Sequence, residues 1–523
     1  MAPGRAGTHS GTDHRPFPPG DYPLIVIGSG PGGLQVSYGL RRHGVPHAVL
    51  SADPAPGGMF RRWPFFQRLL SWTKPYAPEE RTAREYQRFD WNSLIADQPD
   101  LRSLQAEFMD GSSYFPSRPE MEASLTAFAE RAGIEVRYDC TWEATRREED
   151  ADGGRFVLET TDGTYRCRFL VLAVGVAEPW SPTAPGMEHA RHYAETRAAS
   201  SYAGKRVFIV GKQNSGFELA SGLAAWASQI IVASPTPAKL SVQTRSLVGV
   251  RARYVQPFED HFLGLGVSIL DASIEGVAHV GEGFRVDLRR TDTGMPLSVE
   301  ADEVIAATGF TCPLRDLPAL GVATFGQSRL PAVTPMWESA TVPGIYFAGT
   351  ISQASAGLRK HGIPAYSGAV HGHRYNSMIL ARHIAERHFG VAVDRPTIAA
   401  PDLVTHLLHE ATCAPELWHQ KAYLARSILV SEEHGLRDDG IVPLVRGLDD
   451  LSQDGILMTV EADGTGTINP VVYLRSGGRV TEHALPAHPL LQFATTEHRE
   501  ALTTVLAVAW PGLRGAAGGV SGD

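Results

Sequence analysis

Residues Pro23–Gly33 read PLIVIGSGPGG, and this stretch decides the fold. The continuous apolar run at its start is typical of a parallel strand that is buried on both faces. The pattern Gly28-x-Gly30-x-x-Gly33 follows the run and opens a helix that continues to Arg42. Glycines at these places allow backbone N–H groups to approach a pyrophosphate at the helix N-terminus, although glycines here can also serve tight packing alone. The stretch predicts a βαβ unit that binds a dinucleotide.

The same pattern occurs a second time along the chain. Arg206–Val210 (RVFIV) predicts a strand, Gly211–Gly216 (GKQNSG) a tight turn, Phe217–Ala227 a helix, and Ile230–Ala233 another strand. The middle glycine of the turn is replaced by Gln213, but short polar side chains follow it and can cap the helix beside a phosphate. We therefore expect a second dinucleotide site.

The acidic residue that usually binds the ribose of the first nucleotide is displaced here. Ser51 occupies the usual position at the end of the second strand, and Asp53 lies two residues later. Asp53 could reach back to the ribose, Ser51 could make a weaker contact, or Asp53 could be an ordinary polar loop residue.

Composition excludes several classes of protein. The net charge is −9, from 48 basic and 57 acidic residues in a chain of 523, and no basic surface typical of nucleic-acid binding is present. The four cysteines, Cys140, Cys167, Cys312 and Cys413, form no CxxC pair or metal-ligand spacing. The apolar runs are too short to span a membrane, so we expect a cytoplasmic protein without nucleic-acid or membrane partners.

Both ends of the chain differ from its centre. Residues 1–20 predict a disordered leader and 515–523 a tail. Between 395 and 514 we expect a separate C-terminal accessory module, with a helical stretch over Asp402–Ser431 and a hairpin over Ile456–Leu474 that turns near Asp463.

Further segments carry a resemblance to a known family: Gly57–Phe60 (GGMF), Asp90–Leu94 (DWNSL), Tyr114–Ser117 (YFPS), the GKQNSG turn, Ala307–Phe310 (ATGF), Phe347–Thr350 (FAGT) and Val370–Asn376 (VHGHRYN). Together they resemble the class B flavin-dependent monooxygenase superfamily. Within it, the chain is similar to the branch of FAD-dependent oxidoreductase-domain proteins that includes the nitrosuccinate-forming aspartate N-monooxygenases.

The resemblance implies an α/β fold with two doubly wound Rossmann-like domains. The FAD-binding domain should comprise residues 21–180 and 302–394, and the NAD(P)H-binding domain residues 181–301. NADPH would reduce FAD, O₂ would form a C4a-hydroperoxyflavin, and a small nucleophilic substrate would be oxygenated, with an amino acid such as L-aspartate in bacterial secondary metabolism as the implied substrate. The alternatives are a flavin-dependent reductase with a non-oxygen acceptor and a non-catalytic flavin-binding interaction protein. Homo-oligomers are compatible with either enzyme.

Two departures from the family pattern matter. Thr350 replaces the aspartate that follows the final strand glycine, so a hydroxyl or backbone group must make that contact. The long sequence fingerprint of Baeyer–Villiger monooxygenases is missing, and Pro185–Tyr193 matches it only in part. This departure favours oxidation of a heteroatom over that of a ketone.

The expected site residues fall into two groups, and no metal site is expected. The cofactor-binding residues are Gly28, Gly30, Pro31, Gly33, Ser51, Asp53, Gly58, Met59, Phe60, Trp72, Trp142, Gly175, Gly211, Asn214, Ser215, Gly216, Ser234, Lys239, Arg245, Thr308, Gly309, Gly349, Thr350, His371 and Gly372. The candidate catalytic residues are Asn92, Trp91, Arg359 and Lys360, with Arg61 and Arg62 as further cations for a dicarboxylate.

Several of these residues have an alternative interpretation. Ser234, Lys239 and Arg245 favour the 2′-phosphate of NADPH over NADH, but they could be solvated loop residues. His371 could contact the flavin or simply cap a helix, and the tryptophans could be core residues.

Overall fold

The computed structural model describes residues 14–62, 68–149, 154–244, 249–355 and 365–510. The strands within these ranges are β1 Asp21–Ile27, β2 Ala48–Leu50, β3 Trp142–Glu148, β4 Arg155–Thr160, β5 Gly163–Leu172, β6 Glu178–Pro179, β7 Arg191–His192, β8 Arg206–Val210, β9 Gln229–Ser234, β10 Val267–Val280, β11 Gly283–Arg290, β12 Pro296–Ala301, β13 Glu303–Ala306, β14 Phe310–Thr311, β15 Thr324–Phe325, β16 Leu330–Pro331, β17 Ile345–Phe347, β18 Thr397–Ile398, β19 Leu424–Ser431, β20 Gly435–Pro443, β21 Gly455–Ala462, β22 Ile468–Ser476 and β23 Arg479–Ala484. The α-helices are α1 Pro31–Arg42, α2 Arg118–Arg131, α3 Asn214–Leu223, α4 Ser241–Thr244, α5 Gln256–Leu263, α6 Val370–Phe389, α7 Leu403–Cys413, α8 Pro415–His419, α9 Leu444–Asp449 and α10 Thr496–Ala509.

The first sheet is built around β1, whose apolar residues are buried as predicted for a central parallel strand. Its order is β2-β1-β5-β4-β3, and β17 pairs in parallel with the last residues of β5, beyond the part that pairs with β4. Helices α1 and α6 pack closely, because a Cβ on Gly39 would lie 2.6 Å from the Cβ of Ala381. This packing places the start of α6 at the same end of the sheet as the first glycine turn.

The second sheet has the order β12-β11-β10-β9-β8-β13-β7, with β8 at the centre of its parallel part. The chain passes between the two sheets twice, and the two crossings pair with each other as β6 and β14. The α/β fold class with parallel, doubly wound sheets is thus confirmed. The predicted boundary at residue 302 separates β13 from its sheet, since β13 pairs with β8 and β7.

The C-terminal module contains a six-stranded antiparallel sheet of order β18-β20-β19-β21-β22-β23. Helices α7, α8 and α10 cover one face and share a core with β21 and β22. The hairpin over 456–474 is present, but the helix expected up to Ser431 is wrong. The helices end at His419, and Leu424–Ser431 forms the strand β19 between β20 and β21.

The physical reason is that the short apolar run LARSILVS fits a buried helix and a buried strand equally well by periodicity. Pairing with two neighbouring strands decides between them. None of the helices in the described ranges is long and apolar enough to cross a membrane.

Candidate functional site

The first glycine turn joins β1 to α1, and two of its glycines are required by packing. Gly28 has a φ of +114°, and a Cβ there would lie 2.5 Å from the carbonyl oxygen of Ala173. A Cβ on Gly33 would lie 1.9 Å from the carbonyl oxygen of Gly28. Neither position can accept a side chain without moving the backbone.

Gly30 has a different role, because no close contact with the described part of the chain requires a glycine there. It is the N-cap of α1 with a φ of −74°, and the atom nearest to an added Cβ is the Cα of Gly58, at 3.8 Å. Pro31 occupies the first position of α1, where no N–H is needed. A phosphate-sized group can therefore approach the helix N-terminus at Gly30, and the turn fits the pyrophosphate of a dinucleotide.

Other predicted residues converge on this helix end. A Cβ on Gly58 would lie 3.0 Å from the Cα of Gly30, and one on Gly349 would lie 3.1 Å from the Cα of Gly32. An added Cβ on Gly175 would lie 3.9 Å from the Sδ of Met59. The structure thus brings together Gly28, Gly30, Pro31, Gly33, Gly58, Met59, Gly175, Gly349 and Thr350, with Phe60 packed against the adjoining core.

The two candidates for ribose binding are both engaged within the protein. The Oγ of Ser51 lies 2.8 Å from the Oγ of Ser29, and the side chain is buried. Asp53 forms an ion pair of 2.6 Å with Arg62. A ribose contact by either residue stays a prediction.

Trp142 lies near the end of β2. The N–H of Cys140 donates to the carbonyl of Ser51, and Trp142 follows two residues later at the start of β3. The indole is buried, and its N–H donates to the Oγ1 of Thr145 at 2.8 Å. This placing is compatible with the adenosine end of a dinucleotide, but its cofactor role also stays a prediction.

The second glycine turn repeats the geometry of the first. Gly211 has a φ of +115°, and a Cβ there would lie 2.3 Å from the carbonyl oxygen of Ala307. A Cβ on Gly216 would lie 2.0 Å from the carbonyl oxygen of Gly211. Gln213 is the N-cap of α3, which is the position that Gly30 holds at α1, and its side chain is exposed.

Asn214 and Ser215 begin α3, as expected of residues beside a phosphate. The amide of Asn214 is nevertheless used within the protein. Its Nδ2 donates to the carbonyl of Gly249, and its Oδ1 accepts from the N–H of Arg251. The side chain therefore fixes residues 249–251 against the turn, while backbone groups of α3 stay available for an anion.

The residues expected near a 2′-phosphate lie at the end of β9. Ser234 ends that strand, Lys239 is exposed in the following loop, and Arg245 lies outside the described residues. Asp271 stands opposite Ser234 in the parallel register and forms an ion pair with the buried Lys212 of the glycine turn.

Thr308 and Gly309 belong to the connection between the sheets. The hydroxyl of Thr308 donates to the carbonyl of Trp180, and the Gly309 carbonyl accepts from the N–H of Trp180 and pairs with the Nε2 of His192 at 3.0 Å. Their hydrogen bonds hold the two chain crossings together.

A cluster of rings lies at the start of α6. The ring centroids of Trp72 and Trp91 are 3.7 Å apart, and those of Trp91 and His371 are 4.2 Å apart. The His419 ring from the C-terminal module lies 5.3 Å from that of His371. His371 and His419 are buried and the two tryptophans are half-buried, so these residues form a largely aromatic surface.

His371 is fully buried, and neither ring nitrogen has a hydrogen-bond partner within the described part of the chain. Burial first, and then the neighbouring Arg374, holds the pKa of His371 well below its usual range, so the ring is neutral. The next residue, Gly372, has no room for a side chain, because an added Cβ would lie 2.1 Å from the carbonyl oxygen of Tyr366.

Most of the predicted catalytic side chains in the described ranges already make contacts within the protein. The Oδ1 of Asn92 accepts from Ser71, and its Nδ2 donates to Thr73 at 3.0 Å, so both ends of the amide already serve the loop. Arg61 and Arg62 are paired with the carboxylates of Glu122 and Asp53. Trp91 joins the ring cluster, while Arg359 and Lys360 lie outside the described residues.

Sequence reasoning missed the buried polar residues Lys212, His419 and Gln420 and the half-buried Glu218. Burial raises the pKa of Glu218 to about 7, although the hydroxyls of Tyr193 and Tyr254 both donate to it. Only Lys212 stands inside a motif, so the sequence carries no signal for the other three.

Two dinucleotide-type turns, each on the parallel part of a mixed sheet, are typical of flavoprotein oxidoreductases that use a pyridine nucleotide. The model of the pyridine nucleotide-disulphide oxidoreductase family matches residues 25–349, which is more than half of the chain. The chain belongs to this family of flavin-dependent enzymes. FAD and a nicotinamide dinucleotide are accordingly its cofactors, as expected from the sequence.

Among curated relatives, the FAD-dependent oxidoreductase domain-containing protein 2 of Mus musculus is 27% identical over 436 residues. The match covers 78% of this chain and 64% of the mouse protein, so the chain spans less than two thirds of that relative.

Solved structures of low identity share the fold. The bacillithiol disulfide reductase Bdr from Staphylococcus aureus has a TM-score of 0.55 at 17% identity, covering 70% of this chain and 99% of that one. The ornithine N-hydroxylase of Kutzneria sp. 744, bound to reduced FAD, NADP⁺ and ornithine, has a TM-score of 0.52 at 15% identity, with coverages of 70% and 99%.

Proposed function

We propose that the protein is an FAD- and NADPH-dependent monooxygenase that transfers one oxygen atom of O₂ to a small nucleophilic substrate. The other oxygen atom leaves as water, and NADPH supplies the two electrons. The favoured reaction is oxidation of the nitrogen of an amino acid such as L-aspartate, towards nitrosuccinate, as the resemblance of the sequence implies.

The state of the thiols is the observation that carries this choice over a disulfide reductase. All four cysteines are free, and Cys140, Cys167 and Cys312 are buried. Burial raises the pKa of each thiol, that of Cys312 to about 12. A thiolate is the form that attacks a disulfide, so these residues are poorly suited to pass electrons from a flavin to a disulfide.

The residues described above divide the work as follows. The N-terminus of α1 with Gly30, Gly58 and Gly349 would hold the FAD pyrophosphate, and that of α3 would hold the pyrophosphate of NADPH. FAD, when bound, supplies the two-electron chemistry and the reaction with O₂. The ring cluster around Trp91 keeps water away from the reacting atoms.

The surroundings of β9 support NADPH as the reductant. No carboxylate ends the strand, and the carboxylate of Asp271 opposite Ser234 is neutralised by Lys212. A 2′-phosphate near Ser234 and Lys239 would therefore meet hydroxyl and ammonium groups without an unpaired acid.

An experiment with isotopically labelled oxygen tests the proposal. The enzyme, NADPH and ¹⁸O₂ are incubated with aspartate and with a panel of amines, sulfides and ketones, and products are analysed by mass spectrometry. We expect ¹⁸O in a hydroxylamine, nitroso or nitro product, and more product at higher pH because only the unprotonated amine is nucleophilic. Labelled sulfide or ketone products alone would refute N-oxidation but leave a monooxygenase.

A flavin-dependent reductase with a non-oxygen acceptor is the second candidate, because it would use the same two cofactor sites. NADPH oxidation that requires a quinone and yields no labelled product would establish it.

A separate control tests whether the cysteines take part in the reaction. Alkylation with N-ethylmaleimide should leave NADPH oxidation unchanged.

A further inference from the structure

Two side chains of the second domain, which is built on the second sheet, contact a loop of the first domain, which is built on the first sheet. The loop comprises residues 68–73 and lies between β2 and β3 in the chain. The hydroxyl of Tyr254 donates to the carbonyl oxygen of Arg68 at 3.2 Å, and the guanidinium of Arg253 donates to that of Leu69 at 3.0 Å. These hydrogen bonds dock the second domain onto the loop.

The same loop supports the ring cluster. The carbonyl of Trp72 accepts from the N–H of Trp91 at 3.0 Å, and the hydroxyl of Ser71 donates to Asn92. The contact of the second domain with this loop therefore helps to set where that domain lies relative to the ring cluster.

Glu218 of α3 lies behind Tyr254. Its Oε1 accepts from the hydroxyl of Tyr254 and its Oε2 from that of Tyr193, both at 3.0 Å. The titratable and charged groups that face this carboxyl are Tyr193, Tyr254 and Arg253, and Arg251 in turn faces Tyr254. Burial raises the pKa of Glu218 to about 7, against the opposing effect of the two phenols and Arg253. The carboxyl therefore changes its charge near neutral pH.

The hydroxyl of Tyr254 has one proton for two acceptors, the Oε1 of Glu218 and the carbonyl of Arg68. An ionised carboxylate can only accept, and its charge makes it the stronger acceptor, so it takes this proton. A protonated carboxyl can instead donate to the phenol oxygen, which leaves the Tyr254 proton for the Arg68 carbonyl. The hydrogen bond from Tyr254 to the first domain is therefore favoured when Glu218 carries a proton.

We propose that Glu218 is a positioning residue that acts through Tyr254. When protonated it docks the second domain onto residues 68–73, and when ionised it loosens that docking. Arg253 keeps its hydrogen bond to Leu69 in both states, so the domains stay joined while the fit between them changes. The inference rests on the proposed reduction of FAD by NADPH, because the turns that would hold these cofactors lie in the two domains that the contact joins.

Amide hydrogen exchange of the full-length protein as purified tests this coupling in the wild type and in Glu218→Gln. The glutamine amide can donate to Tyr254 and accept from Tyr193, as the protonated carboxyl does. At pH 6 the two proteins should exchange residues 68–73 equally. At pH 9 the wild type should exchange them roughly threefold to tenfold faster than the variant, because one hydrogen bond between the domains is lost. Comparison at the same pH removes the chemical pH dependence of exchange.

Tyr254→Phe removes the hydroxyl that links Glu218 to Arg68, so adding Glu218→Gln to it should no longer slow the exchange at pH 9. Tyr193→Phe is the matched control, because Tyr193 is similarly buried and its hydroxyl donates to the other oxygen of Glu218. In that background Glu218→Gln should still slow the exchange. If Tyr254→Phe does not yield folded protein, the comparison of the wild type with Glu218→Gln remains decisive.

Equal exchange of residues 68–73 in the wild type and Glu218→Gln at pH 9 would overturn the inference, and so would a difference that persists in the Tyr254→Phe background. A failure of the proposed function has a different signature, because this exchange is measured without NADPH. Incubation with ¹⁸O₂ would then yield no labelled product, while residues 68–73 would still respond to Glu218.

Discussion

Single glycines of the first turn separate cofactor binding from folding. Gly30→Val places a branched side chain where the pyrophosphate meets the backbone, so this variant should lose FAD while the apoprotein keeps its unfolding temperature. Gly33→Ala should instead lower the unfolding temperature, because its Cβ would lie 1.9 Å from the carbonyl oxygen of Gly28. Flavin absorbance and thermal unfolding of both apoproteins provide the measurement. A Gly30→Val protein that retains its full yellow colour would contradict the assignment.

Gln213 is the residue that distinguishes the second turn from the first. Because its side chain starts where Gly30 has none, Gln213→Gly should allow closer approach of the NADPH pyrophosphate and lower the KM for NADPH by roughly threefold to tenfold. Gly211→Val should raise it steeply, since Gly211 has a positive φ and touches Ala307. Flavin reduction is followed at a series of NADPH concentrations, with FAD affinity as the control. An unchanged KM in both variants would show that the turn is only structural.

Glu218 makes stability depend on pH. Burial raises its pKa in the folded protein to about 7 from an ordinary value of 4.5. Folding favours the protonated carboxyl. Glu218 therefore makes its full contribution to the unfolding free energy below pH 4.5, and this contribution is lost as the pH rises through about 7. Between the two limits the unfolding free energy changes by about 3 kcal/mol.

The variant Glu218→Gln should therefore be more stable than the wild type at pH 8 and nearly equal to it at pH 4.5. Unfolding temperatures measured across this interval provide the check, and Glu282→Gln, at an exposed position, is the control. A wild-type profile that runs parallel to that of Glu218→Gln would disprove the role of this carboxyl.

At the scale of elements, the two glycine turns could be predicted because a local pattern encodes them. Strand, turn and helix follow one another within a few residues, and the same packing constraints recur at Gly33 and Gly216. The sequence-based boundary at residue 302 places β13 with the first domain, because an isolated strand does not show which sheet it joins. The pairing of β13 with β8 depends on the tertiary structure and not on the local sequence. The same holds for the pairing that makes Leu424–Ser431 a strand.

In the candidate site, too, residues in local motifs could be predicted and residues brought together only by the tertiary fold could not. Residues within the glycine motifs were found from their spacing, whereas Gln420 and His419 lie far along the chain from Ser367 and Gln87, which they contact. Asn92 shows the opposite problem. It stands in a recognisable segment, yet both ends of its amide are used by Ser71 and Thr73. Polarity in a motif therefore does not distinguish a catalytic amide from one that holds a loop.

At the scale of the whole molecule, Arg84 connects the first domain to two carboxylates of the C-terminal module. Among the ion pairs of the described residues, Arg84→Met leaves the buried carboxylate of Glu410 with Arg426, at 3.4 Å. Because Arg84 itself is 32% exposed, we expect a loss of about 2 kcal/mol in unfolding free energy, below the range for fully buried pairs. Urea denaturation measures it.

Arg146→Met provides the comparison, because Arg146 and its partner Glu148 are both exposed. It should cost less than about 1 kcal/mol. Equal losses in the two variants would mean that the Arg84 pairs contribute no more than surface ion pairs, and that the module is held by other contacts.

The bonds of Gln420 and Tyr423 to residues before and within α6 have a consequence for biosynthesis. On the ribosome, both glycine turns emerge long before residues 415–423, which close the layer around Ser367 and Trp337. A nascent chain that ends after α6 still lacks this layer. We expect the start of α6 to pack fully only after translation of the C-terminal module, so that a stalled or prematurely terminated polypeptide leaves the ribosome with this layer open.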